Sequence, residues 1–252
     1  VVYGSDQIWW KSTIPGYEGF DPVYWGEYIN PKIKKVTYAP SMGIIDLTQE
    51  DKLQIQKWLK NFDAISVRET ELCQAIQGLT EKSISVVLDP VFLLSEEEWS
   101  KYCIPINSAK YILYYNLLPS KVSDGFVKNL KTMLNYEIVE ITGSVSMKKV
   151  GRRYMQTVDA FEFISYIKNA EIVVTSSFHG VVFSIMFGKK FYAVGMGNKV
   201  GRVKSLLSAL NIEEYLVTEE YYNNIDFDKM RSKVNQSLEI LQGFSYQYIE
   251  RM

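Results

Sequence analysis

Short apolar runs alternate along this chain with amphipathic stretches of about ten to fifteen residues, and no other feature restricts its fold as much. Val36-Thr37-Tyr38-Ala39, Ala64 to Arg68, Ile84 to Leu88, Tyr111 to Leu117, Glu137 to Thr142, Glu171 to Thr175 and Lys190 to Val194 read as strands. Between them apolar residues recur at helical spacing: Ile55, Trp58, Leu59 and Phe62; Val122, Phe126, Val127, Leu130 and Met133; Ala160, Phe163, Ile164 and Ile167. Thr48, Ser95 with Glu98, and Asp159 with Glu162 supply helix caps. Further helices are predicted over 69–77, 180–187, 202–210 and 227–242. This alternation means βαβ units on a parallel sheet. The expected class is α/β with two Rossmann-like doubly wound domains, 1–107 and 108–252, because the pattern restarts near 105–110. Ligands in such folds bind beyond the carboxyl ends of the strands, so the residues just after strands are the ones to inspect.

Composition removes several functions. Lys and Arg number 28 against 29 Asp and Glu, which leaves none of the basic excess of a general nucleic-acid binder. No apolar run approaches the roughly 20 residues of a membrane helix. No cationic segment followed by an apolar stretch opens the chain, so no signal peptide is visible. Cys73 and Cys103 lie far apart without a CxxC, which speaks against a disulfide scaffold or zinc ribbon and for a reducing cytoplasm. There is one histidine, His179, so multi-histidine zinc sites are excluded and any imidazole acid–base chemistry falls to that residue.

His179 stands in the most informative stretch, Ile172-Val173-Val174-Thr175-Ser176-Ser177-Phe178-His179-Gly180. An apolar strand runs through three hydroxyl residues into a helix, which places His179 at a helix N-terminus at the mouth of a sheet. Free N–H groups there bind anions, and the helix end disfavours a charged imidazole. The plain alternative is that Ser176 or Ser177 caps the helix and His179 is a satisfied core residue. Arg68 ends its strand, where a guanidinium can fork onto a carboxylate or phosphate, or pair at the surface with Glu69 or Glu71. Gly195 to Arg202 is glycine-rich and carries Lys199 and Arg202, yet matches neither a P-loop nor a dinucleotide fingerprint. Ser5, Asp6 and Gln7 follow an early strand, and Asp89 follows another; each can bind hydroxyls or serve as a base, or simply cap a turn. The aromatics of residues 4–31 could stack sugars, although core packing is the commoner use. Lys148, Lys149, Arg152 and Arg153 form a local basic patch, read as a solvated loop.

Taken in order, Gly4-Ser5-Asp6-Gln7-Ile8-Trp9, Tyr38-Ala39-Pro40-Ser41-Met42-Gly43, Ile65-Ser66-Val67-Arg68-Glu69, Val87-Leu88-Asp89-Pro90, Trp99, Tyr111 to Tyr115, Asn169-Ala170, Thr175 to Gly180, Phe183-Ser184 and Arg202 with Leu206-Leu207 resemble the polysaccharide pyruvyl transferase family. The resemblance implies two Rossmann-like domains in a GT-B-like arrangement, with the active site between them. It implies transfer of pyruvate from phosphoenolpyruvate onto two hydroxyls of a sugar, forming a ketal and releasing phosphate. The acceptor would be a sugar, a lipid-linked saccharide or a polysaccharide of a capsule, exopolysaccharide or cell wall. His179 matches the family's catalytic histidine, and Arg68 its anion-binding arginine.

On that reading Arg68, Arg202, Lys199, Ser176 and Ser177 bind the anionic donor, while Ser5, Asp6, Gln7 and Asp89 are acceptor-side candidates. No metal and no cofactor beyond phosphoenolpyruvate as co-substrate is expected. Characterised branches carry an arginine two residues before the histidine, where this chain has Ser177. Family members also carry a further stretch before Gly-Ser-Asp-Gln, so the N-terminal domain is expected to be truncated. The expected location is the cytoplasm, with the inner face of the membrane as the other candidate. Two further readings stay open: a GT-B glycosyltransferase using a nucleotide sugar, and a saccharide-binding relative without catalysis.

Overall fold

The computed structural model describes residues 1–117, 120–143, 152–155, 157–194, 197, 200–217 and 227–252, with the side chains of 152–154 and 227–232 outside the description. It divides into two compact units, Val1–Leu93 with Ser237–Met252, and Leu94–Gln236.

Unit 1 holds β1 (Val2–Tyr3), β2 (Val36–Thr37), β3 (Ile65–Val67) and β4 (Ile84–Val86), with α1 (Gln49–Leu59) and α2 (Thr70–Ile76). β1 pairs with β2 and β3 with β4, all parallel, and a bridge between Val36 and Ala64 joins the two pairs. Thr48 caps α1 through a reciprocal box with Asp51. The core is Ile55, Leu59, Ile65, Val67, Leu72 and Ile76, with three indoles against them. Trp9 and Trp25 stack at 4.2 Å, and Trp25 and Trp58 at 5.3 Å. Trp9 and Trp25 are fully buried, so the aromatic-rich opening segment builds core, while Tyr17 and Tyr28 are left exposed.

Unit 2 carries α3 (Glu96–Ser100), β5 (Tyr111–Asn116), α4 (Lys121–Leu134), β6 (Glu137–Thr142), β7 (Arg152–Met155), α5 (Ala160–Asn169), β8 (Ile172–Thr175), α6 (Phe178–Met186), β9 (Lys190–Val194), α7 (Val200–Ala209) and β10 (Leu216–Val217). The final helix, α8 (Phe227–Arg251), begins in unit 2 and ends in unit 1. The six strands lie in the order β10-β9-β8-β5-β6-β7, and every pairing is parallel. Counted from β5, this is the order 3-2-1-4-5-6 of a doubly wound sheet, as expected. The switch point is β5, flanked by β6 on one side and β8 on the other. Phe126 and Val127 of α4 pack on Ile112, Tyr114, Ile138, Ile172 and Val174. On the opposite face Tyr115 meets Phe163 of α5 at 4.7 Å, and Phe163 meets Phe183 of α6 at 6.0 Å.

Two features depart from the sequence reading. Residues 152–155 form a strand beside β6, so Arg152 and Arg153 lie in the sheet rather than in a loop; Lys148 and Lys149 fall outside the described residues. The boundary lies at 93/94 rather than 107/108, and residues 237–252 return to unit 1. The return has specific anchors. Ser245 Oγ accepts from Leu88 N–H at 3.0 Å, Tyr248 Oη donates to Thr37 O at 2.7 Å, and Gln242 Nε2 donates to Phe92 O at 2.7 Å.

Candidate functional site

Both units gather the singled-out residues at the carboxyl ends of their strands. In unit 2, α6 starts directly after β8. Ser177 takes the N-cap position, but its side chain makes no capping bond. The first N–H groups of a helix have no intrahelical partner, so this end presents donors to whatever enters. Ser177 N–H itself donates to Thr175 Oγ1 at 3.0 Å. Its hydroxyl bonds the Tyr115 phenol, whose pKa is raised by burial and eased back by that bond. Ser176 Oγ accepts from Leu117 N–H at 3.0 Å. Ser177 therefore does not cap α6 with its side chain.

His179 lies in the first turn of α6 and is half-buried, rather than sealed in the core. Gly180 explains how the turn approaches the sheet so closely. A Cβ there would stand 2.3 Å from Thr175 Oγ1, closer than any real contact. Arg202, in the first turn of α7, is 8% exposed, and its guanidinium lies 5.2 Å from the centre of the Phe178 ring. This cation–π contact brings a fixed positive charge to the residue preceding His179. His179, Ser176, Ser177 and Arg202 are thus brought together within unit 2. Lys199 lies outside the described residues.

In unit 1, Arg68 is 8% exposed, so it is a buried group rather than a surface one. Its Nη2 stands 3.0 Å from Asp89 Oδ2, and its Nη1 3.8 Å from Asp6 Oδ1. Asp89 is 2% exposed and also accepts from Val91 N–H at 3.0 Å through Oδ1, so it both caps a turn and holds the arginine. Ser41 Oγ donates to the buried Glu69 carboxylate. The Asp6 side chain is 59% exposed, and its backbone is fixed because its carbonyl accepts from Ile8 and Ser41 N–H at 2.9 and 2.8 Å. Gly4 permits this loop: it has φ +139°, and a Cβ there would fall 1.8 Å from Tyr38 O. Ser5 and Gln7 flank Asp6 and are half-buried. Ser41, Glu69 and Gly180 were not singled out individually; the hydroxyl and glycine at strand ends are the signals that point to them.

The arrangement separates two chemistries. Unit 2 offers a helix N-terminus, a buried guanidinium and an imidazole, which suits an anion and a proton transfer. Unit 1 offers a guanidinium between two carboxylates, beside a loop that also carries Ser5 and Gln7, which suits hydroxyl groups. A cavity of about 540 Å³ in unit 1 is lined by Asp63, Lys82, Ser83, Phe244 and Arg251, at the amino ends of β3 and β4, and includes none of Asp6, Arg68 and Asp89. Among the described residues no group of three or more His, Cys, Asp and Glu could hold a metal ion, and no described helix is long and apolar enough to cross a membrane.

Residues 1–198 match the family model described as polysaccharide pyruvyl transferase. A search of curated proteins returns no match. Among solved structures, the wall teichoic acid polymerase TagF is similar to this chain at 12% identity and a TM-score of 0.38, covering 91% of this chain. A structure of TagF carrying H444N with CDPG (30 minute soak) is similar at 11% identity and a TM-score of 0.42. The chain spans 65% of the length of each of these two polymerase chains.

Proposed function

The chain belongs to the polysaccharide pyruvyl transferase family, and from that premise we propose that it moves pyruvate from phosphoenolpyruvate onto two hydroxyls of a sugar in a surface polysaccharide or its precursor. The observation that carries the reading is the buried Arg202 guanidinium on Phe178, beside His179 and the N-terminus of α6, whose N-cap side chain makes no capping bond.

Phosphoenolpyruvate has a carboxylate and a phosphate. Arg202, the first N–H groups of α6 and the Ser177 hydroxyl hold them. Protonation of the methylene carbon by His179 turns it into a methyl group and leaves C2 electron-poor, stabilised by the bridging phosphate-ester oxygen. The first sugar hydroxyl adds to C2 and gives up its proton, which restores the imidazolium. Phosphate then leaves from C2, the second hydroxyl closes the ketal, and the second hydroxyl proton departs with phosphate. General acid catalysis of this kind contributes about 10²–10⁴ in rate.

Ser5, Asp6 and Gln7 face the acceptor, with Arg68 and Asp89 setting the position of Asp6. A GT-B-like division of labour, acceptor side in unit 1 and donor side in unit 2, is part of the proposal, as is action in the cytoplasm or at the inner membrane face on a lipid-linked saccharide or polymer. Glycosyl transfer from a nucleotide sugar is the second reading, favoured by Ser177 standing where an arginine would hold a second anionic group.

Calorimetric titration with phosphoenolpyruvate, with nucleotide sugars as comparators, tests the proposal. Binding of phosphoenolpyruvate that weakens at least tenfold in Arg202→Met is expected. Preference for a nucleotide sugar would move the assignment to glycosyl transfer, and binding of neither would remove catalysis from the reading.

A further inference from the structure

The carboxyl end of β5 lies in a polar row whose central residue, Asn116, the donor chemistry leaves unused. Side chains alternate along a strand, so Ile112, Tyr114 and Asn116 share one face. That face is covered by α4, because Tyr114 Oη and Ser123 Oγ of α4 are 2.7 Å apart. Register sets Asn116 opposite Thr142 of β6. Tyr115 pairs with Thr175 of β8, so Ser176 comes next to Asn116 on the other side. Thr142, Asn116 and Ser176 therefore close the three central strands in a row, at most 3% exposed. Directly behind them on the same face stand Glu140, Tyr114 and Val174, all buried, and behind those Ile138, Ile112 and Ile172.

Asn116 is 1% exposed, and its Oδ1 has no hydrogen-bond partner among the described residues. A buried acceptor left without a donor is costly, and such groups in folded proteins call for an explanation. The position is the switch point of the sheet, where ligands of this fold class enter. The orphan is an acceptor, so it needs a ligand that donates. At neutral pH phosphoenolpyruvate presents only acceptor oxygens. A hydroxyl is the matching group.

We propose that Asn116, between Thr142 and Ser176, forms a polyol subsite in which Asn116 Oδ1 accepts a hydrogen bond from a ligand hydroxyl. The inference deepens the proposed function, resting on it for the neighbouring anion site, and it names where a hydroxyl-bearing substrate is read in unit 2. The hydroxyl can come from the acceptor sugar or from the ribose of a nucleotide sugar, and the test has an arm for each.

The full-length protein and its Asn116→Leu and Asn116→Asp variants are titrated with phosphoenolpyruvate, with a panel of methyl hexosides and with UDP-glucose. The proposal expects the wild type to bind a hexoside or UDP-glucose, Asn116→Leu to weaken that ligand at least tenfold, Asn116→Asp to stay within about threefold, and phosphoenolpyruvate affinity to be the same in all three. Dependence of hexoside binding on Asn116 identifies the acceptor sugar as the source, and dependence of UDP-glucose binding identifies ribose. Equal affinity in Asn116→Leu, or no binding of either probe class by the wild type, overturns the subsite. Asn116→Ala replaces the leucine variant should that one not fold. Wild type that binds UDP-glucose through Asn116 but not phosphoenolpyruvate sinks pyruvyl transfer and leaves the subsite standing; the converse pattern does the opposite.

Discussion

His179 and Gly180 form one device, and they fail differently. His179 is half-buried at the start of α6, so its removal should disturb little packing. His179→Gln is expected to lower turnover about 10²–10⁴-fold, with the melting temperature unchanged within error; near-normal phosphate release from phosphoenolpyruvate would remove the imidazole from the chemistry. Gly180→Ala leaves the imidazole in place but drives a methyl group to 2.3 Å from Thr175 Oγ1. Thr175 is fully buried on β8 and accepts the Ser177 N–H, so it has little freedom to yield. A cost of about 1–3 kcal/mol follows from overpacking of this kind, read as a lower urea midpoint, together with displacement of the first turn of α6. Arg68 belongs to a third class. Removing it strands the buried Asp89 carboxylate, and breaking one side of a buried pair costs about 3–5 kcal/mol. Arg68→Ala should therefore melt well below the wild type, and any loss of donor affinity in that variant has meaning only beside its stability.

Helix caps show how much of the element scale is written locally. Ser95 with Glu98 and Asp159 with Glu162 each form the reciprocal box that the sequence spacing announces, and Thr48, read as a cap, forms one with Asp51. A cap needs residues only three apart, and so it is legible without any tertiary information. Asp159→Ala is expected to cost about 1 kcal/mol, whereas Ser177→Ala, with no side-chain cap to lose, should lose only its hydroxyl bond to Tyr115, a coupling that a double-mutant cycle with Tyr115→Phe would isolate. Asp51 adds a pH dependence. Burial alone would raise its carboxyl pKa, but the bond from Lys11 and those from Thr48 outweigh burial and hold it below the ordinary value. A depressed carboxylate stabilises the fold above its unfolded pKa, about 3.9, and that stabilisation fades as pH falls through the folded value. The stability gap between wild type and Asp51→Asn should therefore narrow as pH is lowered from about 5, and a gap constant with pH would contradict the assignment.

Elements decided at long range were less legible. Arg152 to Met155 carries no apolar run, and it is strand through pairing with β6. The row of Thr142, Asn116 and Ser176 joins residues up to sixty apart in sequence, and only the register of β5 between its two neighbours assembles it. Arg68 could be placed at a strand end from sequence, but its partners Asp6 and Asp89 come from two other strand ends, and no local pattern links them.

At the scale of the whole molecule, the chain closes on itself: residues 237–252 complete a unit that begins at Val1. The half of α8 in unit 1 brings Tyr248 against Tyr38, with Ala39 and Val87 in the same cluster. It also supplies Ser245 to Leu88, Gln242 to Phe92 and Tyr246 to Leu93. Tyr38 lies between β2 and the loop that carries Ser41, and burial pushes its phenol up to about 12, with the nearby Ser245 hydroxyl pulling the other way. A chain ended before Ser237 should thus uncover the apolar cluster and free the Leu88 N–H next to Asp89. Since Asp89 holds Arg68, and Arg68 reaches Asp6, the loosened segment is the one that fixes the loop carrying Asp6. Unit 2, with its six-stranded sheet and the start of α6, lies outside the segment removed and is expected to keep its structure. Segment-resolved hydrogen exchange on the truncated protein is expected to show lost protection over 36–41 and 87–93 with protection over 172–186 retained. Uniform loss across both units would mean that they fold as one cooperative body, and unchanged protection over 36–41 would mean that the returning helix is not what holds unit 1 closed.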